Sequence, residues 1–238
     1  MRYYLIIRES LKLGSWERYK IVDQSEKVVS NIYSPRRKVI VVKKIHMLRR
    51  VLMLQVTCSM ILGPTLLLKL VKEKKLVEGL AERELTTPEG AGFDLRLGEV
   101  YKISGRAFLG ISERETPKIE LVTKVEDGKR NTIIIRPGDY FLVTTIESVN
   151  LPLNITANLK PRTTTFRSGL FLRTGNVAPG YCGKLTFGLK NEGPIEVVIE
   201  MGARFVHVQF EWVDGGGNQY KGQWQGGRVT TINRETQI

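Results

Sequence analysis

From Phe93 to Trp212 the chain runs as a succession of short segments in which apolar and polar side chains alternate, each ending at a turn-forming cluster. A period of two is what a strand needs when one face meets a core and the other meets solvent. Phe93–Leu97, Val100–Ser104, Lys118–Thr123, Thr132–Arg136, Tyr140–Ile146 and Asn154–Leu159 read as strands, as do Lys184–Lys190, Ile195–Glu200 and Arg204–Trp212. Pro88-Glu89-Gly90, Asp127-Gly128, Pro137-Gly138-Asp139 and Glu192-Gly193-Pro194 separate them, because proline presets φ while glycine and aspartate accept turn conformations. So many short strands predict a mainly β fold, a barrel or a sandwich.

One helix precedes the strands. Pro64 suits a first helical turn, and Leu67, Leu70, Val71, Leu76, Val77 and Leu80 supply an apolar stripe. Val51–Leu68 carries no charge, but Gln55, Thr57, Cys58, Ser59, Gly63, Pro64 and Thr65 dilute it too far for a membrane span. The run also begins too far from the N-terminus for a secretory signal. Two distant cysteines, Cys58 and Cys182, give no disulfide framework and fit a reducing cytoplasm.

Charge divides the chain. Residues 1–59 hold thirteen Lys and Arg against four Asp and Glu, a net +9 of the total +13, which leaves +4 for residues 60–238. The first part reads as a basic extension, solvated or poorly ordered. It lacks the aromatic interleaving or helical register that would mark a specific nucleic-acid or membrane surface.

The chemistry concentrates in Pro161–Gly188. Arg162, Arg167 and Arg173 stand beside the hydroxyl run Thr163, Thr164 and Thr165, followed by a Pro179-Gly180-Tyr181 turn entering a strand. Guanidinium forks and hydroxyls suit phosphate oxygens, and an aromatic on a tight turn can cover a sugar or base. Zinc deamination is excluded, because Cys58, Cys182, His46 and His207 are too few and too scattered for the His or Cys, Glu and Cys-x-x-Cys set it needs. His207 falls in the alternating Arg204–Phe210 strand and reads as structural or interfacial, not as a hydrolase base. There is no Walker loop and no Gly-x-Gly-x-x-Gly sequence.

These segments resemble the dCTP deaminase/dUTPase superfamily, and its deaminase branch more closely. Arg162-Thr163-Thr164-Thr165-Phe166-Arg167-Ser168-Gly169-Leu170 is similar to that branch's Arg-Ser-Ser-x-x-Arg-x-Gly-Leu run, and Val177-Ala178-Pro179-Gly180-Tyr181-Cys182-Gly183 to its Ile-Asp-Pro-Gly-aromatic-x-Gly turn. Gly90–Gly98 resembles its Asp-Leu-Arg-Leu-Gly strand, and Gln219-Tyr220-Lys221-Gly222-Gln223 its Lys-Tyr-Gln-Gly-Gln tail. The dUTPase register, which starts at Arg167, leaves too short an excursion before Ala178. Met60-Ile61-Leu62 resembles the usual deaminase start, which implies that residues 1–59 come from a misassigned start codon.

The resemblance implies a distorted, dUTPase-like β-barrel (β-clip) over 60–238, a cytoplasmic homotrimer with sites shared between subunits, and zinc-independent conversion of dCTP and water to dUTP and ammonia. Mg²⁺ would arrive on the triphosphate. Arg162, Thr163, Thr164 and Arg167 would hold phosphate and polarise the base, with Thr163 and Arg167 the catalytic candidates. Pro179 and Tyr181 would pack near the sugar, and Tyr220, Lys221 and Gln223 would close a glycine-rich lid aided by Arg228.

Two carboxylates of the pattern are absent. The family's general base stands nine residues after the turn proline, and that position is Gly188, on the polar face of its strand. Glu192 lies four residues on, about 13 Å along an extended strand. Ala178 replaces the usual aspartate. The alternatives are therefore a dUTP diphosphatase, against which Ala178 counts, and a catalytically inactive nucleotide-binding paralogue.

Overall fold

The computed structural model describes residues 61–237 together with the backbone of three strands nearer the N-terminus. The chain divides into two compact units, Met1–Thr57 and Cys58–Ile238. In the first, β1 (Leu5–Leu13), β2 (Trp16–Val22) and β3 (Val28–Pro35) form an antiparallel meander. Where charge alone suggested a poorly ordered arm, the β-branched and aromatic content of these segments favours strands. Residues 51–60 of the uncharged stretch lie outside the described residues. No helix among the described residues is long and apolar enough to cross a membrane.

The second unit opens with α1 (Pro64–Lys74), which ends sooner than the apolar stripe. Lys75 takes a left-handed conformation, φ +52°, and the Lys75 and Leu76 amides donate to the Val71 and Leu70 carbonyls, closing the last turn. Leu76 is buried all the same, and Val77 enters the two-residue strand β4 (Val77–Glu78). There follow α2 (Glu82–Thr86), β5 (Phe93–Ser104), β6 (Phe108–Leu109), β7 (Glu113–Glu115), β8 (Lys118–Lys124) and β9 (Thr132–Ile135). Then come β10 (Tyr140–Asn150), β11 (Ile155–Pro161), α3 (Thr163–Arg167), β12 (Leu170–Arg173), β13 (Cys182–Asn191), β14 (Val197–Glu200), β15 (Arg204–Trp212) and β16 (Glu235–Thr236).

The main sheet has the order β11-β15-β5-β10-β13-β12 and is antiparallel throughout. Its edges approach each other where Ala157 of β11 bridges Val177, just beyond β12, so the sheet is a nearly closed, distorted barrel. Phe93, Leu95, Leu97, Val143, Phe187, Leu189, Val206, Val208 and Phe210 fill the interior. The two strands expected at 93–97 and 100–104 are one continuous strand. Gly98 interrupts the alternation because β5 passes so close to β10 that a Cβ there would lie 2.7 Å from the Thr145 carbonyl oxygen. Opposite it, the buried Glu147 carboxylate accepts from the Arg96 backbone N–H at 2.9 Å and from Arg96 Nε at 2.7 Å. Burial pushes the Glu147 carboxyl up against that pull.

Candidate functional site

Strand β11 delivers the first group of site residues. After Pro161 the chain turns into α3, whose entry is fixed by one acceptor: the Arg162 amide donates to the Phe205 carbonyl at 3.0 Å, and Thr165 Oγ1 donates to the same oxygen at 2.8 Å. Thr165 is thereby buried and structural, and only Thr163 and Thr164 of the hydroxyl run remain exposed. Arg167 is exposed as well, one helical turn from Thr163.

The Arg162 side chain turns inward, with Nε 2.8 Å from Asp94 Oδ2. Asp94 is almost fully buried on β5 and pairs with two more groups: His207 Nδ1 at 2.9 Å from Oδ1 and Arg204 Nη1 at 3.2 Å from Oδ2. Glu84 of α2, also buried, accepts from the Asp94 amide at 3.0 Å and from Arg83 Nη1 at 2.7 Å, and it lies 3.6 Å from Arg204 Nη1. Burial works against the Asp94 charge, but the His207 hydrogen bond with Arg162 and Arg204 nearby holds its carboxyl below the ordinary aspartate range. Residue 92 is glycine because the chain there runs tight against β15: a Cβ would clash with the Val208 carbonyl and lie 2.6 Å from His207 Nε2.

The second group is built on a tight turn. Pro179 and Gly180 occupy its centre, Gly180 has φ +78°, and the Tyr181 amide donates to the Ala178 carbonyl at 3.2 Å. This is the positive-φ position that glycine suits in a Pro-Gly turn. Tyr181 points into the protein, its hydroxyl donating to the Lys184 carbonyl at 2.6 Å, and burial pushes its phenol up to about 12. Tyr181 therefore supports the turn from inside, and does not stand out from it as a free aromatic face.

The glycine-rich tail packs back on this turn. The Tyr220 amide donates to the Pro179 carbonyl at 2.9 Å, and Tyr220 packs edge-on to Tyr181 with ring centroids 5.4 Å apart. Gln219 Nε2 and Gln225 Nε2 donate to the Gly180 carbonyl at 2.8 and 3.1 Å. Gly183 and Gly226–Gly227 touch backbone to backbone, a Cβ on Gly183 lying 3.0 Å from Gly226 Cα. Lys221 is exposed. Gln223 Nε2 donates to the Thr236 carbonyl at 2.7 Å, and Arg228 is committed to Glu235, so neither is free for a phosphate in this conformation.

Gly188 lies in β13 opposite Leu142 of β10 and Arg173 of β12. Its register puts it on the outer face, as alternation predicts, yet it is buried, because Tyr140 lies across it. A Cβ at position 188 would stand 2.9 Å from Tyr140 Cζ and closer still to the hydroxyl. On the same face Glu99 lies across two strands, where it accepts from Tyr101 and Thr144 and approaches Lys184 Nζ at 3.5 Å. Glu192 lies beyond the end of β13, 3.9 Å from Arg173 and 3.7 Å from Lys190. Neither carboxylate takes the place of one at 188.

Residues 61–213 match the family model described as dCTP deaminase-like. The chain belongs to the dCTP deaminase-like family. It is 31% identical over 156 residues to the dUMP-forming dCTP deaminase of Dictyoglomus turgidum, an alignment covering 63% of this chain and 79% of the relative. It is 31% identical over 169 residues to the dCTP deaminase of Pyrococcus horikoshii, covering 71% and 96%. Among solved structures, the 2′-deoxycytidine 5′-triphosphate deaminase of Agrobacterium tumefaciens superposes with a TM-score of 0.51 at 19% identity, over 65% of this chain and 49% of that one. That likeness shows the fold alone.

Among the described residues no hydrogen bond or ion pair joins Arg162, Thr163, Thr164 or Arg167 to Pro179, Tyr181, Tyr220, Lys221 or Gln223. Two open grooves of about 440 Å³ are lined around Leu121–Lys124 and around Asn158–Lys160 with Thr174–Asn176, and neither includes an expected site residue. Sequence reasoning overlooked Asp94, Tyr140 and Glu84. Asp94 falls within the strand motif, at the start of β5 between Phe93 and Leu95, and an aspartate between two core-forming residues is the signal that marks it. Tyr140 gave no signal, since its role depends on a diagonal cross-strand neighbour.

Proposed function

We propose that this chain handles pyrimidine deoxynucleoside triphosphates in the manner of a dCTP deaminase, taking dCTP and water to dUTP and ammonia without zinc. Arg162, Thr163, Thr164 and Arg167 bind the phosphate chain and polarise the base. The Pro179–Tyr181 turn backs the sugar, and the tail with Tyr220, Lys221 and Gln223 closes over it. Mg²⁺ comes as part of the substrate, bound to its phosphates. The single observation that carries the reading is the hold on Arg162, a cation anchored by a buried carboxylate beside two exposed hydroxyls and a second arginine. Family membership, with no hydrogen bond or ion pair joining the two residue groups among the described residues, supports a homotrimer whose neighbouring copies complete each site. The reducing-compartment composition supports a cytoplasmic setting.

A specific observation favours a second reading, binding without deamination. Tyr140 occupies the space of the family's base, and removing a general base of this kind costs roughly 10²–10⁴ in rate. Incubating the purified chain with dCTP and with dUTP, then separating the products by chromatography, distinguishes the readings. Release of dUTP and ammonia from dCTP supports deamination. Saturable binding with dCTP recovered unchanged supports the second reading, and pyrophosphate release from dUTP would establish a diphosphatase instead.

A further inference from the structure

We propose that Asp94 and His207 are positioning residues for Arg162, setting the guanidinium where it meets the triphosphate; the proposal rests on the nucleotide-binding reading above. Arginine has a long, freely rotating side chain, so a guanidinium fixed before the ligand arrives loses less rotamer entropy on binding than a free one. Asp94 supplies the fixed point. It is 5% exposed, its amide is tied to buried Glu84, and its Oδ2 lies 2.8 Å from Arg162 Nε. The Asp94 carboxylate has its own orientation set from the other side, where His207 Nδ1 stands 2.9 Å from Oδ1.

Three further features show that the pairing is built into the fold. Arg204 is drawn toward Glu84, 3.6 Å away, as well as toward Asp94, so it shares its charge between two carboxylates and leaves Asp94 a place for Arg162. Gly92 lets the chain enter β5 tight against the Val208 carbonyl, beside the His207 ring, where a Cβ would clash with that backbone. The Arg162 backbone is held independently by the Phe205 carbonyl, so Asp94 governs the side chain while β15 governs the main chain. Strand β5 and strand β15 thus each contribute to the placement of one arginine.

A double-mutant cycle on dCTP affinity, measured by calorimetric titration of the full chain, tests this. Asp94→Asn keeps the shape and removes the charge, and it should weaken dCTP by about tenfold, in keeping with the loss of a charge-assisted interaction. On an Arg162→Ala background the same substitution should change affinity by less than about twofold, because its effect passes through Arg162. His207→Leu should weaken dCTP by roughly threefold in the wild type and have no effect on Arg162→Ala, and His207→Asn, whose amide can stand in for Nδ1–H, should restore most of the loss. The His207 cycle carries the test if Asp94→Asn does not fold. Losses that multiply independently in the double variants, or unchanged affinity in both Asp94→Asn and His207→Leu, overturn the inference. A wild-type chain that does not bind dCTP removes the nucleotide-binding reading itself, and this inference with it.

Discussion

Tyr140 lies across Gly188, and its ring carbon Cζ stands 2.9 Å from the place a Cβ at 188 would occupy. The two residues are diagonal neighbours on adjacent strands, since Leu142 pairs with Gly188 and Tyr140 with Lys190. Restoring a carboxylate at 188 therefore requires the Tyr140 ring to be displaced. Gly188→Glu alone should destabilise the protein by about 1–3 kcal/mol, the usual cost of overpacking, and should form no more dUTP than the parent. Gly188→Glu with Tyr140→Ala should recover stability and raise dUTP formation from dCTP by at least tenfold. Thermal unfolding and product chromatography check the pair, and equal stability of the parent and Gly188→Glu would show that Tyr140 yields freely.

The tail is fixed to the Pro179–Gly183 turn by backbone contact, and Gly183 is the tightest point, with φ +132°. Gly183→Ala combines a strained φ with a Cβ directed at Gly226 and Gly227. It should cost about 1–3 kcal/mol and release the tail. Hydrogen exchange at residues 219–227 should accelerate while the core strands stay protected.

The exposed members of the first group should affect binding and leave folding unchanged. Arg167→Ala should move stability by no more than about 0.5 kcal/mol, as for surface changes in general, and weaken dCTP roughly tenfold. Lys221→Ala should do the same to a smaller degree. Thermal unfolding beside calorimetric titration separates the two effects.

Asp94 gives the pH dependence a definite sign. Its folded-state carboxyl is held below the unfolded value, so the folded state resists protonation and the stabilisation is fully present above about pH 4. It is lost progressively as pH falls below that toward the lower folded value. The difference in melting temperature between the parent and Asp94→Asn should be largest near neutrality and shrink as the pH is lowered through 4 and below.

Strand alternation made the barrel legible, because β5, β10, β11, β12, β13 and β15 of the main sheet each turn one face to the core. It split β5 at Gly98, where close approach to β10 explains the glycine without ending the strand. β12 and α3 stayed hidden inside the basic stretch, since four residues carry too little periodicity and a threonine run is a poor helix former. The motif order revealed Arg162, Tyr181 and the tail. It did not reveal that Thr165, Gln223 and Arg228 are engaged within the chain, nor that Tyr140 covers Gly188, because those depend on neighbours far away in sequence.

Calorimetric titration of dCTP into the purified parent and Arg162→Ala chains tests the central claim most directly. The parent should bind dCTP saturably, and Arg162→Ala should weaken that binding at least tenfold while keeping the β-sheet circular dichroism signal. A parent that shows no saturable dCTP binding, or an Arg162→Ala chain that binds as tightly as the parent, would contradict it.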